Sequence, residues 1–189
     1  MTGIEIDPDT AQLARKNAAE NGFADDFNIV TADLTAGWPS LQEAGLRREA
    51  YDHVIANPPY HAAERSRPSA GFEVARARVM EAGGLDRWLR FLAGVTKPHG
   101  TCTVIHVADA LPELLNAFEG RFGAISVVPL YPKANASAIR VILSGVKGSR
   151  APLSIAPGVV LHGEDGSPTE IAKAVLADGA PLAGHSPSK

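Results

Sequence analysis

Val54-Ile55-Ala56-Asn57-Pro58-Pro59-Tyr60 is an apolar run that breaks off into an amide, two prolines and an aromatic ring. The apolar residues read as the end of a buried strand. The prolines stop it, because each lacks an N–H and fixes φ, and Pro59 also holds Pro58 in extended backbone. Beyond Ala56 the backbone therefore offers carbonyl acceptors in a stiff arrangement. Asn57 adds a side-chain carbonyl and Tyr60 an aromatic face. Two acceptors and a ring suit a planar group bearing an –NH2. In open α/β sheets the C-terminal end of a strand is where ligands bind. Taken alone, the same residues are equally a Pro-Pro turn that ends a strand.

Two further strand-plus-acid segments stand upstream. Thr2-Gly3-Ile4-Glu5-Ile6-Asp7-Pro8 is a short apolar strand that ends in acids and leads into a helix. Asp7 is placed to cap that helix, Pro8 suits its first position, and Asn21-Gly22 marks its stop. Ile29-Val30-Thr31-Ala32-Asp33-Leu34 is a second strand ending in an acid.

The three segments, in this order, resemble the signatures of amino-directed, S-adenosylmethionine-dependent methyltransferases. These enzymes act on amino groups of adenine, cytosine or guanine, or on glutamine amides. The resemblance implies a catalytic role for Asn57, Pro58, Pro59 and Tyr60, with Tyr60 stacked on the substrate ring. It implies that Glu5 and Ile6 meet the cofactor ribose, that Asp33 and Leu34 meet its adenine, and that Asn57 also lies against the cofactor. The tail is similar to one family within that group, which methylates an adenine amino group in the anticodon loop of valine tRNA. The matching residues are Lys147-Gly148-Ser149-Arg150-Ala151-Pro152-Leu153, Val160-Leu161-His162 and Gly166-Ser167-Pro168-Thr169. Ser167-Pro168-Thr169 departs from the Tyr-Thr expected there.

Alternating strand and helix patterns predict strands at 2–6, 28–33, 52–57, 101–107, 124–131 and 138–146. Helices are predicted at 8–20, 84–97 and 109–119, the second carrying Leu85, Trp88, Leu89 and Leu92 on its apolar stripe. The expected architecture is α/β: a Rossmann-like class I methyltransferase fold with a mainly parallel sheet and an antiparallel edge. No Gly-x-Gly turn lies between a strand and a helix, so the fold is expected to lack its first strand and to bind cofactor weakly. A partial methyltransferase domain is expected over 1–150 and a C-terminal appendage with a flexible end over 151–189. Within the appendage, Glu170 to Ala177 is the expected helix.

Composition narrows the class. The chain has 189 residues, 45% of them hydrophobic, and a net charge of −3. That is enough for one α/β domain and too acidic for a generally basic nucleic-acid binder. The charge is uneven: residues 1–50 hold 4 basic and 9 acidic side chains, residues 61–150 hold 12 and 7. Arg65, Arg67, Arg76 and Arg78 follow Tyr60, and Lys133, Arg140, Lys147 and Arg150 gather around a later hairpin. As a set they are candidates to neutralise RNA phosphates. Cys102 is the only cysteine among the residues and is expected as a buried thiol in a cytoplasmic protein. The six histidines show no metal-ligand spacing, and His53 and His106 read as ordinary polar residues at strand ends. No membrane span or metal is expected.

Three functions compete. One is methylation of an adenine amino group in RNA, with a tRNA anticodon loop as partner. The second is methylation of a protein glutamine amide, and the third a non-catalytic fragment that binds RNA or protein. The basic residues after the motif favour RNA.

Overall fold

A computed structural model describes residues 1–59 and 83–182. Tyr60, Arg65, Arg67, Arg76, Arg78 and the tail beyond Leu182 lie outside the described residues. The chain divides into two compact units, Met1–Ala50 and Tyr51–Lys189.

In the first unit, strands β1 (Thr2–Glu5) and β2 (Asn28–Thr31) pair in parallel, from Thr2 opposite Asn28 to Glu5 opposite Thr31. Helix α1 (Pro8–Glu20) connects them with the bounds read from the sequence. Asp7 caps it: one carboxylate oxygen accepts from the Thr10 backbone N–H at 2.9 Å and from its hydroxyl at 2.7 Å. Gly22, at φ 78°, takes the left-handed turn that lets the chain leave the helix. The Arg15 guanidinium donates to the Ile29 carbonyl at 2.9 Å and to the Thr31 hydroxyl at 3.0 Å, which ties the helix to β2. Ala11, Ile29 and Val30 form the buried seam beneath it. A short helix, α2 (Trp38–Glu43), follows; its Leu41 and the nearby Leu46 are buried, and Arg48 stacks its guanidinium 4.2 Å from the Trp38 ring centre.

The second unit is built on a six-stranded sheet. Its strands are β3 (Tyr51–Ala56), β4 (Thr96–Val107), β5 (Phe122–Tyr131), β6 (Arg140–Lys147), β7 (Ser154–Ile155) and β8 (Val159–Val160). The order is β3-β4-β6-β5-β7, with β8 also on β5. β3 and β4 run parallel, and β6 runs antiparallel to both β4 and β5. The antiparallel strand is thus inserted between β4 and β5 rather than set at the edge, because the chain turns back after β5 into the gap beside β4.

Helices α3 (Gly84–Val95) and α4 (Leu111–Phe118) supply Leu85, Leu89, Leu92, Leu114 and Phe118 to the core, all buried. They pack on the face that carries Gly145, where a Cβ would come within 3.2 Å of the Phe118 ring. Cys102, opposite Gly145, shares that face, as does Val104 two residues on. The Phe118 and Phe122 rings sit 5.3 Å apart, tilted. On the other face Val128, Leu130 and Val159 cluster, with Ile105, Ile142, Leu161 and Leu182 packed against them. The segment expected as an appendage is therefore stitched to β5 by β7 and β8 and ends in α5 (Glu170–Asp178), whose Thr169 cap also donates its hydroxyl to the Val160 carbonyl at 2.7 Å.

Three sequence expectations change. The apolar run Val54-Ile55-Ala56 was expected to be buried, but only Ala56 is: Ile55, paired with Thr103, alternates onto the face away from Cys102 and Val104 and is exposed. β4 begins at Thr96, directly after α3, because Lys97-Pro98-His99-Gly100 bulges out between the Tyr51–Thr96 and His53–Thr101 pairs. His106 is fully buried rather than a polar strand end, since it falls on the Cys102–Val104 side of the alternation.

Candidate active site

The second unit places Asn57 at the C-terminal end of β3, as the sequence reading expects. Ala56 and Pro58 are buried, Pro59 is half-buried and Asn57 is exposed. A proline ring has no rotamers to relax, so its burial stiffens the backbone where Asn57 leaves the strand. Because β4 and β5 run the same way as β3 while β6 runs opposite, this edge also carries the end of β4, the turn after Tyr131 and the start of β6 at Arg140, which pairs with Val107.

The register separates the basic residues that sequence groups together. Lys133 and Arg140 stand at the Asn57 edge, and the exposed Lys133 ammonium donates to the Glu164 carbonyl at 3.0 Å. Lys147 ends β6 at the opposite edge, where its ammonium donates to the Thr96 carbonyl at 2.8 Å, and Arg150 follows it there. That far edge also holds the Asp52–Lys97 ion pair at 2.8 Å, and the Lys97 ammonium holds the Asp52 carboxyl below its usual range.

His162 rests its Nδ1 3.2 Å from the Pro132 carbonyl, and its backbone N–H donates to the same oxygen at 3.1 Å. The Leu161-His162 and Thr169 positions thus clasp the tail to the turn after β5. Cys102 is buried and its thiol pushed up to about 12, so it is an inert core residue. Among the described residues no cluster of His, Cys, Asp and Glu could hold a metal, and no helix is long and apolar enough to cross a membrane.

The first unit carries the residues expected at the cofactor. Glu5 ends β1, and its Oε1 accepts the backbone N–H groups of Ile6 at 2.7 Å and Asp7 at 2.9 Å. Asp33 follows β2; its Oδ1 accepts from the Thr35 N–H at 2.9 Å and hydroxyl at 2.7 Å. Ile6 is exposed and Leu34 half-buried beside them. Both carboxylates are acceptor-only groups oriented by their own backbone at the same edge of a parallel pair. Two such acceptors can take hydrogen bonds from hydroxyl or amino groups. The Asp7 carboxyl is held below its usual range, first by the Thr10 hydroxyl and then by the Thr10 N–H, in keeping with its role as a cap.

The fold is that of class I, Rossmann-like S-adenosylmethionine-dependent methyltransferases. A solved structure from Agrobacterium tumefaciens, described as a predicted O-methyltransferase, superposes with a TM-score of 0.74 at 23% identity, covering 92% of this chain and 75% of that one. The tRNA (m1A58) methyltransferase TrmI from Aquifex aeolicus superposes with a TM-score of 0.53 at 10% identity, covering 78% and 53%. In sequence the chain is similar to a particular group, the tRNA1(Val) (adenine(37)-N6)-methyltransferases. It is 31% identical to that of Porphyromonas gingivalis over 119 residues, 60% of this chain and 43% of the relative. It is 29% identical to that of Shewanella loihica over 122 residues, 65% and 45%. The chain spans less than half the length of these relatives. No protein-family model matches it.

Proposed function

We propose that this protein takes part in S-adenosylmethionine-dependent methyl transfer to the exocyclic amino group of an adenine in RNA, with a tRNA anticodon loop as the substrate. The observation that carries the reading is the exposed Asn57 at the end of a parallel strand, followed by the buried Pro58. The likeness in sequence to adenine-N6 methyltransferases of tRNA supports the same acceptor. Lys133 and Arg140 at the Asn57 edge favour RNA over a protein glutamine.

An aromatic –NH2 is a poor nucleophile because its lone pair is delocalised into the ring. Catalysis has to favour the pyramidal, charge-developing geometry over the planar ground state. Asn57 Oδ1 and the Pro58 carbonyl do so as fixed acceptors for the two amine hydrogens, without a strong base. Rigidity matters because acceptors that must reorganise lose part of their effect during the reaction. The cofactor, when bound, supplies a methyl group activated by a sulfonium; Glu5 and Asp33 in the first unit would hold its ribose and adenine. The target base must leave its stack, which costs less in a loop than in a duplex. The test is turnover of Asn57→Ala on unmodified tRNA. A loss of about 10²-fold in rate is expected, the usual cost of one such electrostatic contact. Unchanged turnover would reject the role of Asn57.

A further inference from the structure

The sheet edge that carries Asn57 is stepped. One row of paired residues crosses β3, β4, β6 and β5 through Ala56, Val104, Leu143 and Val127. β3 ends on that row, at Ala56. β4 continues three residues beyond it to Val107, and β5 four residues to Tyr131, where Val160 of β8 pairs with it. At about 3.3 Å per residue, β5 and β8 reach about 13 Å further along the strand direction than β3 does. Asn57 therefore follows the short strand, at the foot of a wall made by the longer ones.

Two exposed side chains stand at the top of that wall, Lys133 after β5 and His162 after β8. The loops that carry them are joined. The backbone N–H of Leu161 donates to the Tyr131 carbonyl at 2.8 Å and that of His162 to the Pro132 carbonyl at 3.1 Å. The Lys133 ammonium donates to the Glu164 carbonyl at 3.0 Å. The backbone of His162 thus makes the clasp without its ring. The ring adds a second contact to the same oxygen, 3.2 Å from Nδ1. A carbonyl only accepts, so Nδ1 carries the proton and Nε2 is the acceptor of the neutral, exposed ring. The Lys133 ammonium has three donors and uses one on Glu164, which leaves two.

Glu164 and Asp165 share the second loop, so no broad positive field forms here. The Asp165 carboxylate is turned to its own loop, where Oδ1 accepts the Ser167 N–H at 3.0 Å and hydroxyl at 2.7 Å. Directed contacts, rather than net charge, are what the wall offers. An RNA strand matches both of them, with a phosphate for the ammonium and a ribose 2′-hydroxyl that can donate to Nε2. β5 lies three strands from β3, about 14 Å at about 4.8 Å per strand, so with the rise the top of the wall is roughly 20 Å from Asn57. A single nucleotide held by its base at Asn57 does not span that distance.

We infer that Lys133 and His162 form a second contact for the substrate RNA, Lys133 on a phosphate and His162 Nε2 on a ribose 2′-hydroxyl, several nucleotides from the target adenine. The inference rests on the methyl-transfer reading, which places the target base at Asn57. It makes the preferred substrate a strand long enough to reach the wall.

Binding, turnover and thermal stability are measured for the wild type, Lys133→Met and His162→Asn on two RNAs, the anticodon stem-loop of valine tRNA and a trinucleotide centred on its target adenine. His162→Asn keeps an amide that can donate to the Pro132 carbonyl and removes Nε2. The wild type is expected to bind the stem-loop at least about tenfold more tightly than the trinucleotide, and both variants to narrow that gap. His162→Asn is expected to weaken stem-loop binding about three- to tenfold, the worth of one hydrogen bond, with KM raised and kcat held. Lys133→Met is expected to weaken it similarly and to make log Kd depend less steeply on log salt, by about 1 in slope. Wild-type stem-loop affinity in His162→Asn, equal losses on both RNAs, or losses that track melting temperature would overturn the inference while leaving Asn57 its role. If the wild type methylates no RNA, the methyl-transfer reading fails by itself. Stem-loop binding then decides the second contact: the same losses in the variants support it, and equal binding by all three proteins overturns it.

Discussion

The two compact units differ in what holds them. In Met1–Ala50 the buried apolar side chains are Ala11, Ile29, Val30, Leu41 and Leu46, under a two-stranded sheet. In the second unit two helices cover one face of a six-stranded sheet, and Ala156, Leu161 and Leu182 pack on a cluster of Val128, Leu130 and Val159 on the other. A two-stranded sheet with one long and one short helix is near the lower limit of independent stability, whereas a six-stranded sheet with two helices on one face and a cluster on the other is well above it. The carboxylates of the first unit, Glu5 and Asp33, are oriented by local backbone hydrogen bonds; Asn57 in the second stands exposed between the buried Ala56 and Pro58. Local hydrogen bonds can order a group without a large core. A rigid acceptor for chemistry needs the core.

The sharpest way to break this contrast is Phe118→Ala. The ring is fully buried against Phe122, and its loss should destabilise the second unit by about 3–5 kcal/mol, as for other buried aromatic truncations. A denaturant melt read by Trp88 fluorescence measures it; a cost below about 1 kcal/mol would contradict the packing described. Hydrogen exchange compares the units directly. Amides of β4 and β6 should exchange only through global opening, and those of β1 and β2 at least roughly tenfold faster. Equal protection would erase the difference.

A smaller effect is expected within the first unit. Ile29→Val should cost about 0.5–1.5 kcal/mol, seen as a shift in its own transition. A single transition for both units, moved as far by Ile29→Val as by Phe118→Ala, would mean that they unfold as one. The smallest effect concerns acid. The folded Asp7 carboxyl lies below its ordinary 3.8, so its stabilisation of α1 is fully present above that value and is lost as pH falls through the lower folded one. Helicity of α1 should be flat from neutral pH to about 5 and decline below about 4, and Asp7→Ala should remove that decline. A decline that survives the substitution would assign it to another group.

Much of this was legible in the sequence because it is local. The Asp7-Pro8 start and the Asn21-Gly22 stop bound α1 to the residue, and the apolar stripe of Leu85, Leu89 and Leu92 is the buried side of α3. What was not legible depends on pairing. No element is expected between 33 and 52, yet a short helix with Leu41 buried forms over Trp38–Glu43. The strand was expected from 101, after a helix to 97, yet β4 begins at Thr96 and passes through Pro98 and Gly100 by bulging. Thr101 to Val107 alternates without saying which side is buried, so the depth of His106 was hidden. The separation of Arg140 from Lys147 needed the register of β6. Trp88, expected on the stripe, is only half-buried, while Leu85, Leu89 and Leu92 are buried.

The most direct test of the central claim identifies the product. The protein is incubated with S-adenosylmethionine labelled in its methyl group and with unmodified valine tRNA, and the RNA is digested to nucleosides. Label is expected in N6-methyladenosine from the anticodon loop with the wild-type protein, and is expected nearly to disappear with Asn57→Ala. Label in another nucleoside, no label in RNA, or an undiminished yield from Asn57→Ala would contradict it.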